Sequence, residues 1–201
     1  MFREEGVGGM SVEVDFVLRH LFQAKLLTNP GLAKFCQVNG GMLMHGPPGS
    51  GKSFLARAIG RVWKRVDQTL QVRFVHGPEL FNELVGKTEE AVRDLFNEAR
   101  ENPNEQHLVI IDEIDAMFGA RGHDSSSGAT DRATAMFISM MDDLSLRENL
   151  FFIGTTNRFD LVDSAVVRKG RLGLHLEIAA MSTEDKVDLL KLILEMLRPL
   201  F

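Results

Sequence analysis

The sequence predicts an α/β protein, a three-layer α/β/α sandwich around a parallel five-stranded sheet. Two observations support this fold class. Short apolar runs of strand length alternate with helical patterns along the 201 residues, and parallel neighbours need such helical crossovers. Hydrophobic residues make up 44% of the chain, which is enough for one sizeable core. The expected molecule is one large domain whose sheet is covered by helices on both faces.

Five apolar runs predict the strands, and a helical pattern precedes the first of them. Four runs are continuous enough for burial on both faces. They are Gly41 to His45, Val72 to Val75, Leu108 to Ile111 and Phe151 to Ile153, with Leu174 to Ile178 as the fifth strand. The helix before them is predicted from five apolar residues on one helical face, which indicates core packing. These residues are Val14, Val17, Leu18, Leu21 and Phe22.

Cap residues predict the bounds of two later helices. Thr88, followed by two glutamates, begins one helix, and Asn102-Pro103 ends it. Ser182 and Asp185 form a variant of the capping box that opens the last helix. The apolar residues of this last helix wrap more than one face. We therefore expect it to need a covering subdomain that this sequence does not contain.

Charge, hydropathy and cysteine content exclude several classes of protein. The formal net charge is −5 and no basic stripe with stacking aromatic residues is present, so nucleic acid is not the expected partner. No apolar run approaches about 18 residues and the N-terminus does not resemble a signal peptide, so we expect no membrane insertion. The single cysteine, Cys36, cannot form an internal disulfide, which suits the reducing cytoplasm.

A phosphate-binding loop follows the first predicted strand. Residues 46–53 read GPPGSGKS, which matches the pattern GxxxxGKS between a strand and a helix. Glycines let the backbone fold so that its N–H groups point at phosphate oxygens, and the helix N-terminus adds a favourable dipole. In this pattern Lys52 begins the helix and reaches the β- and γ-phosphates, while Ser53 ligates Mg²⁺. The sequence therefore predicts a site for a nucleoside triphosphate with Mg²⁺.

Two carboxylates end the third predicted strand. Residues 108–113 read LVIIDE, and ligands of open α/β sheets bind at the carboxyl ends of strands. Asp112 is predicted to act on the Mg²⁺, through water, and Glu113 to polarise the attacking water. An ordinary strand-to-helix turn, with Asp115 as the capping residue, is the alternative interpretation of this segment.

Three further residues are weaker candidates by pattern alone. Asn157 follows the fourth strand and could donate an amide proton to water or the γ-phosphate, although asparagine after a strand more often forms a turn. Arg168 and Arg171 lie three residues apart, and the guanidinium group binds phosphate oxygens in a forked geometry. By spacing alone, a solvated basic loop is the more common meaning of such a pair.

The order of these motifs resembles that of the AAA ATPases over nearly the whole chain. The phosphate loop is followed by LVIIDEID at 108–115, GTTNR at 154–158 and the two arginines. GVGGM at 6–10 and TNRFDLVDSAVVRKGRL at 156–172 are similar to segments of the vesicle-fusing members of that family. The resemblance implies that residues 1–181 form the AAA large subdomain. Residues 182–201 would be the first helix of a C-terminal helical lid that is otherwise missing.

The resemblance also implies roles for individual residues. Asn157 would be the sensor, and Arg168 and Arg171 would be fingers that reach the nucleotide of a neighbouring subunit. The implied nucleotide contacts are Gly8 near the adenine and Pro48, Gly49, Ser50, Gly51, Lys52, Ser53, Phe54 and Asp112 near the phosphates. A pore loop that grips the substrate would comprise Leu84, Val85 and Gly86, with leucine where family members often carry an aromatic residue.

The function implied by the resemblance is hydrolysis of ATP to ADP, with Mg²⁺, in a homohexameric ring. Acting through an adaptor, such a ring would disassemble SNARE complexes in the cytoplasm, at the periphery of vesicle or organelle membranes. Two alternatives keep the enzyme class, namely a protein segregase of the valosin-containing type and a microtubule-severing ATPase. A third alternative is a module that holds ATP as a structural gate without hydrolysing it. Intact Glu113, Asn157 and both arginines argue against that alternative.

Overall fold

A parallel five-stranded sheet forms the centre of the protein, as the sequence predicts. The computed structural model describes residues 1–22, 40–82, 88–119, 127–143 and 149–198. The strands are β1 Gly41–His45, β2 Gln71–His76, β3 His107–Asp112, β4 Leu150–Thr156 and β5 Leu174–Glu177. Their order in the sheet is β2-β3-β4-β1-β5, and all four neighbouring pairs are parallel. This order places the ends of β3, β4 and β1 side by side.

Helices connect the strands and cover both faces of the sheet. They are α1 Ser11–Val17, which continues into a π-helical turn at Leu18–Phe22, α2 Lys52–Val66, α3 Gly77–Asn82, α4 Thr88–Glu101, α5 Ser127–Met141 and α6 Thr183–Leu197. Short 3₁₀ turns occur at Arg3–Glu5, Ile114–Ala116 and Phe159–Leu161. In the described ranges, no helix has both the length and the apolar character needed to cross a membrane.

Side chains of the central strands alternate between two hydrophobic clusters. Leu108 and Ile110 of β3 belong to a cluster with α1 and α2, whereas Val109 and Ile111 belong to a cluster with α4 and α5. The period of two in a strand produces this division, because successive side chains point to opposite faces. The three-layer α/β/α sandwich predicted from the sequence is therefore confirmed.

Two predictions about packing are wrong. We predicted that the second strand is buried on both faces, but β2 lies at the edge of the sheet and Phe74 is 43% exposed. The guanidinium of Arg57 covers part of this ring, 4.8 Å from its centroid. Leu18, expected in the core, is 41% exposed. Val17 and Leu21 form the buried face of this helix, whereas Val14 is only partly buried and Leu18, one turn after it, lies beyond the edge of that face.

The last helix begins at the predicted capping box. The hydroxyl of Ser182 accepts a hydrogen bond from the Asp185 N–H at 3.1 Å, and the Asp185 carboxylate accepts one from the Ser182 N–H at 3.1 Å. Most apolar side chains of α6 are exposed, whereas a helix that is apolar on several faces is expected to be covered. The exposed ones are Val187, Leu190, Ile193, Leu194, Met196 and Leu197.

The N-terminal segment lies between α6 and the phosphate loop. The Asp188 carboxylate accepts hydrogen bonds from the Gly9 N–H at 2.9 Å and from the Arg3 guanidinium at 3.2 Å. These two bonds hold the pKa of Asp188 below its ordinary value. Gly9 has a φ of 67°, and a Cβ there would lie 2.4 Å from a backbone carbonyl oxygen of α6, so only glycine fits. On the other side, the Met10 methyl lies 2.6 Å from where a Cβ on Gly51 would stand.

Candidate functional site

The carboxyl ends of β1, β3 and β4 surround a cavity of about 300 Å³. This is the edge of an open α/β sheet at which ligands characteristically bind. The cavity is lined by Pro48, Gly49, Gly51, Lys52, Ser53, Phe54, Asp112, Glu113, Thr155, Thr156 and Asn157. The structure therefore brings the phosphate loop, both predicted carboxylates and Asn157 together around one space.

Glycines allow the phosphate loop to bend between β1 and α2. Gly46 has a φ of 146°, and a Cβ there would lie 2.0 Å from the carbonyl oxygen of Ile178. Gly51, with a φ of 94°, directly precedes the first residue of α2. Gly49 has a φ of 75°, and no described atom lies within 4 Å of its Cβ position. Backbone of this kind is strained for any residue with a side chain, which explains the glycines of the motif.

Lys52 is held inside the loop with little access to solvent. Its side chain is 6% exposed. The Nζ atom donates to the carbonyl oxygens of Gly46 at 2.9 Å and Pro47 at 2.6 Å, and to the Ser50 hydroxyl at 3.2 Å. Burial lowers the pKa of Lys52, and the negative charge of Asp112 opposes this shift. A phosphate oxygen would be a stronger acceptor than these neutral groups, so the buried ammonium is suited to an anionic ligand.

Ser53 and Asp112 form the oxygen-rich side of the cavity. The Ser53 hydroxyl donates to Asp112 Oδ1 at 2.7 Å, and the Thr155 hydroxyl donates to the same oxygen. Mg²⁺ prefers oxygen ligands, and it commonly takes one or two from the protein and the rest from water and phosphates. Within the described residues, no cluster of three or more His, Cys, Asp or Glu side chains could hold a metal. Ser53 and Asp112 thus fit an ion that is shared with a phosphate ligand.

Glu113 stands at the rim of the cavity on an unusual backbone. Its φ of 54° and ψ of 52° lie in the left-handed region, and no other non-glycine residue in the described ranges has a positive φ. The Glu113 N–H donates to the Thr155 hydroxyl at 3.3 Å. The side chains of Glu113 and Asn157 are both exposed where they line the cavity. A carboxylate and an amide placed in this way can orient a water molecule.

Reasoning from the sequence missed two threonines of the site. Thr155 and Thr156, at the end of β4, are each 1% exposed. The Thr156 hydroxyl donates to Asp115 at 2.7 Å, so Asp115 fastens the turn after β3 to β4. The 3₁₀ turn that contains Asp115 has no side-chain cap. The signal in the sequence that could have identified them is a pair of hydroxyl residues at the end of an otherwise apolar strand.

The two predicted arginine fingers lie outside the cavity and differ in their partners. Arg171 donates from Nε and Nη2 to the two carboxylate oxygens of Asp142, at 3.0 and 2.8 Å, and from Nη1 to the Ala165 carbonyl. The hydrogen bonds to Asp142 raise the pKa of Arg171. Arg168 is exposed, and its guanidinium has no hydrogen-bond or ion-pair partner in the described part of the chain. Arg171 is therefore engaged within its own chain, whereas Arg168 is exposed to solvent.

Two of the remaining predicted positions, Gly8 and Ser50, do not line the cavity. Gly8 packs against α6, where a Cβ would lie 3.0 Å from the Leu189 Cα, and it is not among the residues that line the cavity. Ser50 faces Lys52 inside the loop, as described above. The predicted pore loop, Leu84, Val85 and Gly86, lies outside the described residues.

Comparison with known proteins identifies the family of the chain. Residues 42–180 match the ATPase family associated with various cellular activities (AAA). The chain is 34% identical to the vesicular-fusion protein sec18 of Schizosaccharomyces pombe, over 95% of this chain and 25% of that protein. It is 33% identical to the vesicle-fusing ATPase of Dictyostelium discoideum, over 95% of this chain and 26% of that protein. It is also 40% identical to protein mac-1 of Caenorhabditis elegans, over 75% of this chain and 18% of that protein.

These matches and the cavity describe the same part of the chain. The matched family region contains the phosphate loop, both carboxylates, Asn157 and the two arginines. The chain spans about a quarter of the length of the vesicle-fusion relatives, so the likeness concerns one portion of those proteins. The chain belongs to the AAA family of ATPases.

Proposed function

We propose that this chain binds Mg·ATP in the cavity and hydrolyses it. The observation that carries the proposal is the placement of Lys52, the Ser53–Asp112 pair and Glu113 around one space of about 300 Å³. Phosphoryl transfer needs positioning and charge stabilisation more than covalent chemistry, and these groups supply both. The proposal concerns the full reaction, because a site that only bound ATP would not need a carboxylate at the position of Glu113.

In the proposed reaction, water attacks the γ-phosphorus of ATP. A bond forms between the water oxygen and phosphorus, the bond to the β–γ bridging oxygen breaks, and ADP and inorganic phosphate leave. Glu113 polarises the water and takes its proton, while Asn157 orients the water or the γ-phosphate. Lys52 balances charge on the β- and γ-phosphate oxygens. Mg²⁺, held by Ser53 and through water by Asp112, would neutralise further charge on those oxygens.

Two substitutions separate binding from hydrolysis. Lys52→Ala removes the buried cation and should abolish measurable Mg·ATP binding in calorimetry. Glu113→Gln should retain the affinity and lose hydrolysis by roughly 10²–10⁴-fold, the usual contribution of a positioned acid–base group. Glu101→Gln, at the exposed end of α4, is the matched control and should change neither quantity. Unchanged affinity in Lys52→Ala would refute the site, and unchanged turnover in Glu113→Gln would remove Glu113 from the mechanism.

We further propose that the chain works in a homohexameric ring in which Arg168 completes the site of a neighbour. Two facts support this proposal: Arg168 does not line the cavity of its own chain, and its side chain is exposed. Specific turnover should then rise with protein concentration. In a mixture of two variants, Arg168→Ala subunits contribute intact cavities and Glu113→Gln subunits contribute intact arginines. The mixture should therefore hydrolyse ATP faster than the sum of the rates of the two variants alone. A mixture no more active than its components would contradict catalysis between subunits.

For the substrate, we propose SNARE complexes, engaged through an adaptor in the cytoplasm at vesicle or organelle membranes. Support comes from the relatives named vesicular-fusion protein and vesicle-fusing ATPase and from the similar segments at 6–10 and 156–172. Fluorescently paired SNARE bundles should separate only with adaptor, Mg·ATP and unmodified protein, and not with Glu113→Gln. Severing of microtubules would instead support a microtubule-severing ATPase. Unfolding of unrelated proteins while SNARE bundles stay intact would support a protein segregase.

We also propose a domain division, an adenine contact and a pore loop, all three from the likeness to the AAA family. Residues 1–181 would form the large subdomain and residues 182–201 the first helix of the lid. The exposed apolar side chains of α6 support this division, because further parts of a lid could cover them. The backbone at Gly8 would meet the adenine, and Leu84, Val85 and Gly86 would form the pore loop. Crosslinking of an azido-adenine nucleotide should label the segment 6–10. Labelling confined to other segments would contradict the role given to Gly8.

A further inference from the structure

His175 of β5 contacts the loop that carries the two arginines. Its Nε2 atom lies 3.0 Å from the carbonyl oxygen of Val167 and 3.1 Å from that of Leu172. Carbonyl oxygens only accept hydrogen bonds, so Nε2 carries the proton and donates to both. The two carbonyls flank Arg168 and Arg171. One imidazole ring therefore ties together both ends of the arginine loop, residues 167–172.

Further hydrogen bonds give the arginine loop a defined shape. The Arg171 N–H donates to the Arg168 carbonyl at 3.0 Å, which closes a turn in which Gly170 has a φ of 88°. The Leu172 N–H donates to the Val166 carbonyl at 3.2 Å. Because the Arg171 side chain is also paired within the chain, Arg168 is the guanidinium that this shaped loop presents outward.

His175 is exposed, but its ring contacts an aromatic neighbour. Phe159 packs edge-on against it, with centroids 5.4 Å apart and an interplanar angle of 70°. Phe159 also contacts His45, with centroids 4.7 Å apart. His45 is the last residue of β1 and directly precedes the phosphate loop. The contacts of Phe159 with these two histidines thus connect the start of the phosphate loop to the arginine loop.

We propose that His175 is a positioning residue that keeps Arg168 in the geometry needed to act on a neighbouring subunit's ATP. This inference rests on the proposed function, in which Arg168 stabilises charge on the γ-phosphate across a subunit boundary. A finger contributes only while its N–H groups lie within hydrogen-bond distance of the phosphate oxygens. The hydrogen bonds of His175 across the base of the arginine loop raise the fraction of time that Arg168 spends in that geometry.

Two substitutions of His175 separate its donor from its ring. His175→Phe keeps an aromatic ring beside Phe159 but cannot donate, whereas His175→Gln keeps an N–H donor on a side chain of similar reach. In steady-state hydrolysis by the full chain, His175→Phe should lower kcat about three- to tenfold, the effect of losing one hydrogen bond. KM for ATP should not change, since the cavity of the same subunit is untouched. His175→Gln should remain within about twofold of the unmodified protein.

A double-mutant cycle with Arg168→Ala tests whether His175 acts through the arginine. If it does, His175→Phe should cause no further loss of kcat once Arg168 is alanine. A further loss of the same size in the Arg168→Ala background would overturn the proposal. A raised KM, or equal losses of kcat and melting temperature in His175→Phe and His175→Gln, would also overturn it, because these results belong to a purely structural role.

Hydrogen exchange tests the contact itself without any hydrolysis. The peptide covering 166–173 should exchange faster in His175→Phe than in the unmodified protein, and at the unmodified rate in His175→Gln. Equal exchange in all three proteins would overturn the bracing role. If the unmodified full chain hydrolyses no ATP at any concentration, the proposed function fails and the catalytic role of His175 fails with it. The exchange result still decides whether His175 holds the loop.

Discussion

Replacing Glu113 with glycine should stabilise the folded protein although it removes hydrolysis. The backbone of Glu113, with φ 54° and ψ 52°, lies where a side-chained residue costs about 1–2 kcal/mol and glycine costs almost nothing. The greater freedom of glycine in the unfolded chain opposes this gain by about 0.5–1 kcal/mol. Since the side chain is exposed, its removal forfeits little packing. The expected net gain in the free energy of unfolding is about 0.5–1 kcal/mol, or roughly 2 °C in Tm for a domain of this size.

Urea unfolding of the nucleotide-free protein measures this change, with Glu113→Gln as the matched control. Glutamine lacks the carboxylate but keeps the strained backbone, so Glu113→Gln should unfold at the same urea concentration as the unmodified protein. Glu113→Gly should have a higher midpoint and the same m-value. Both variants should fail to hydrolyse ATP. If Glu113→Gly unfolds at or below the midpoint of Glu113→Gln, the left-handed conformation is not a source of strain and the reasoning is refuted.

Three other predictions follow from contacts described above. Gly46→Ala should lower the free energy of unfolding by several kcal/mol, because the added methyl would lie 2.0 Å from a carbonyl oxygen; a urea midpoint close to that of the unmodified protein would contradict this. Arg171→Met removes the forked pair with Asp142 and should cost about 1–2 kcal/mol after allowance for solvent, and an unchanged melting curve would show that the pair adds nothing. The hydrogen bond from the Gly9 N–H to Asp188 should make stability depend on pH, because the pKa of Asp188 is lowered in the folded protein. Its contribution to stability is complete above the unfolded pKa near 3.8 and disappears as the pH falls through the folded pKa. The Gly9 amide shift in NMR should follow that titration, and a midpoint at or above 3.8 would count against it.

The elements that could be predicted closely are those decided by short-range rules. The run Gly41 to His45 matches β1, and Lys52 begins α2, because an apolar strand, a glycine loop and a helix start are consecutive in the chain. The capping box at Ser182 likewise involves residues three apart. The carboxylates after β3 were found for the same reason, since the end of a buried strand is visible in the sequence.

What could not be predicted depends on contacts between distant residues. Nothing in the run around Phe74 indicates that β2 has a neighbour on only one side in the described sheet. Arg171 looked equivalent to Arg168 by spacing, but its partner Asp142 lies 29 residues earlier in the chain. The bond between Thr155 and Asp112 spans two strands, 43 residues apart. Such pairings are settled by tertiary packing, which leaves no periodic signal in the sequence.

The contacts of the N-terminal segment couple two distant parts of the chain mechanically. Gly9 is bonded to Asp188 of α6, and the next residue, Met10, lies against Gly51 of the phosphate loop. Because Gly9 and Met10 are adjacent in the chain, we expect a tilt of α6 to move Met10 relative to that loop. We expect a ligand that stiffens the loop to stiffen α6 as well, and a force applied along α6 to be felt at the phosphates.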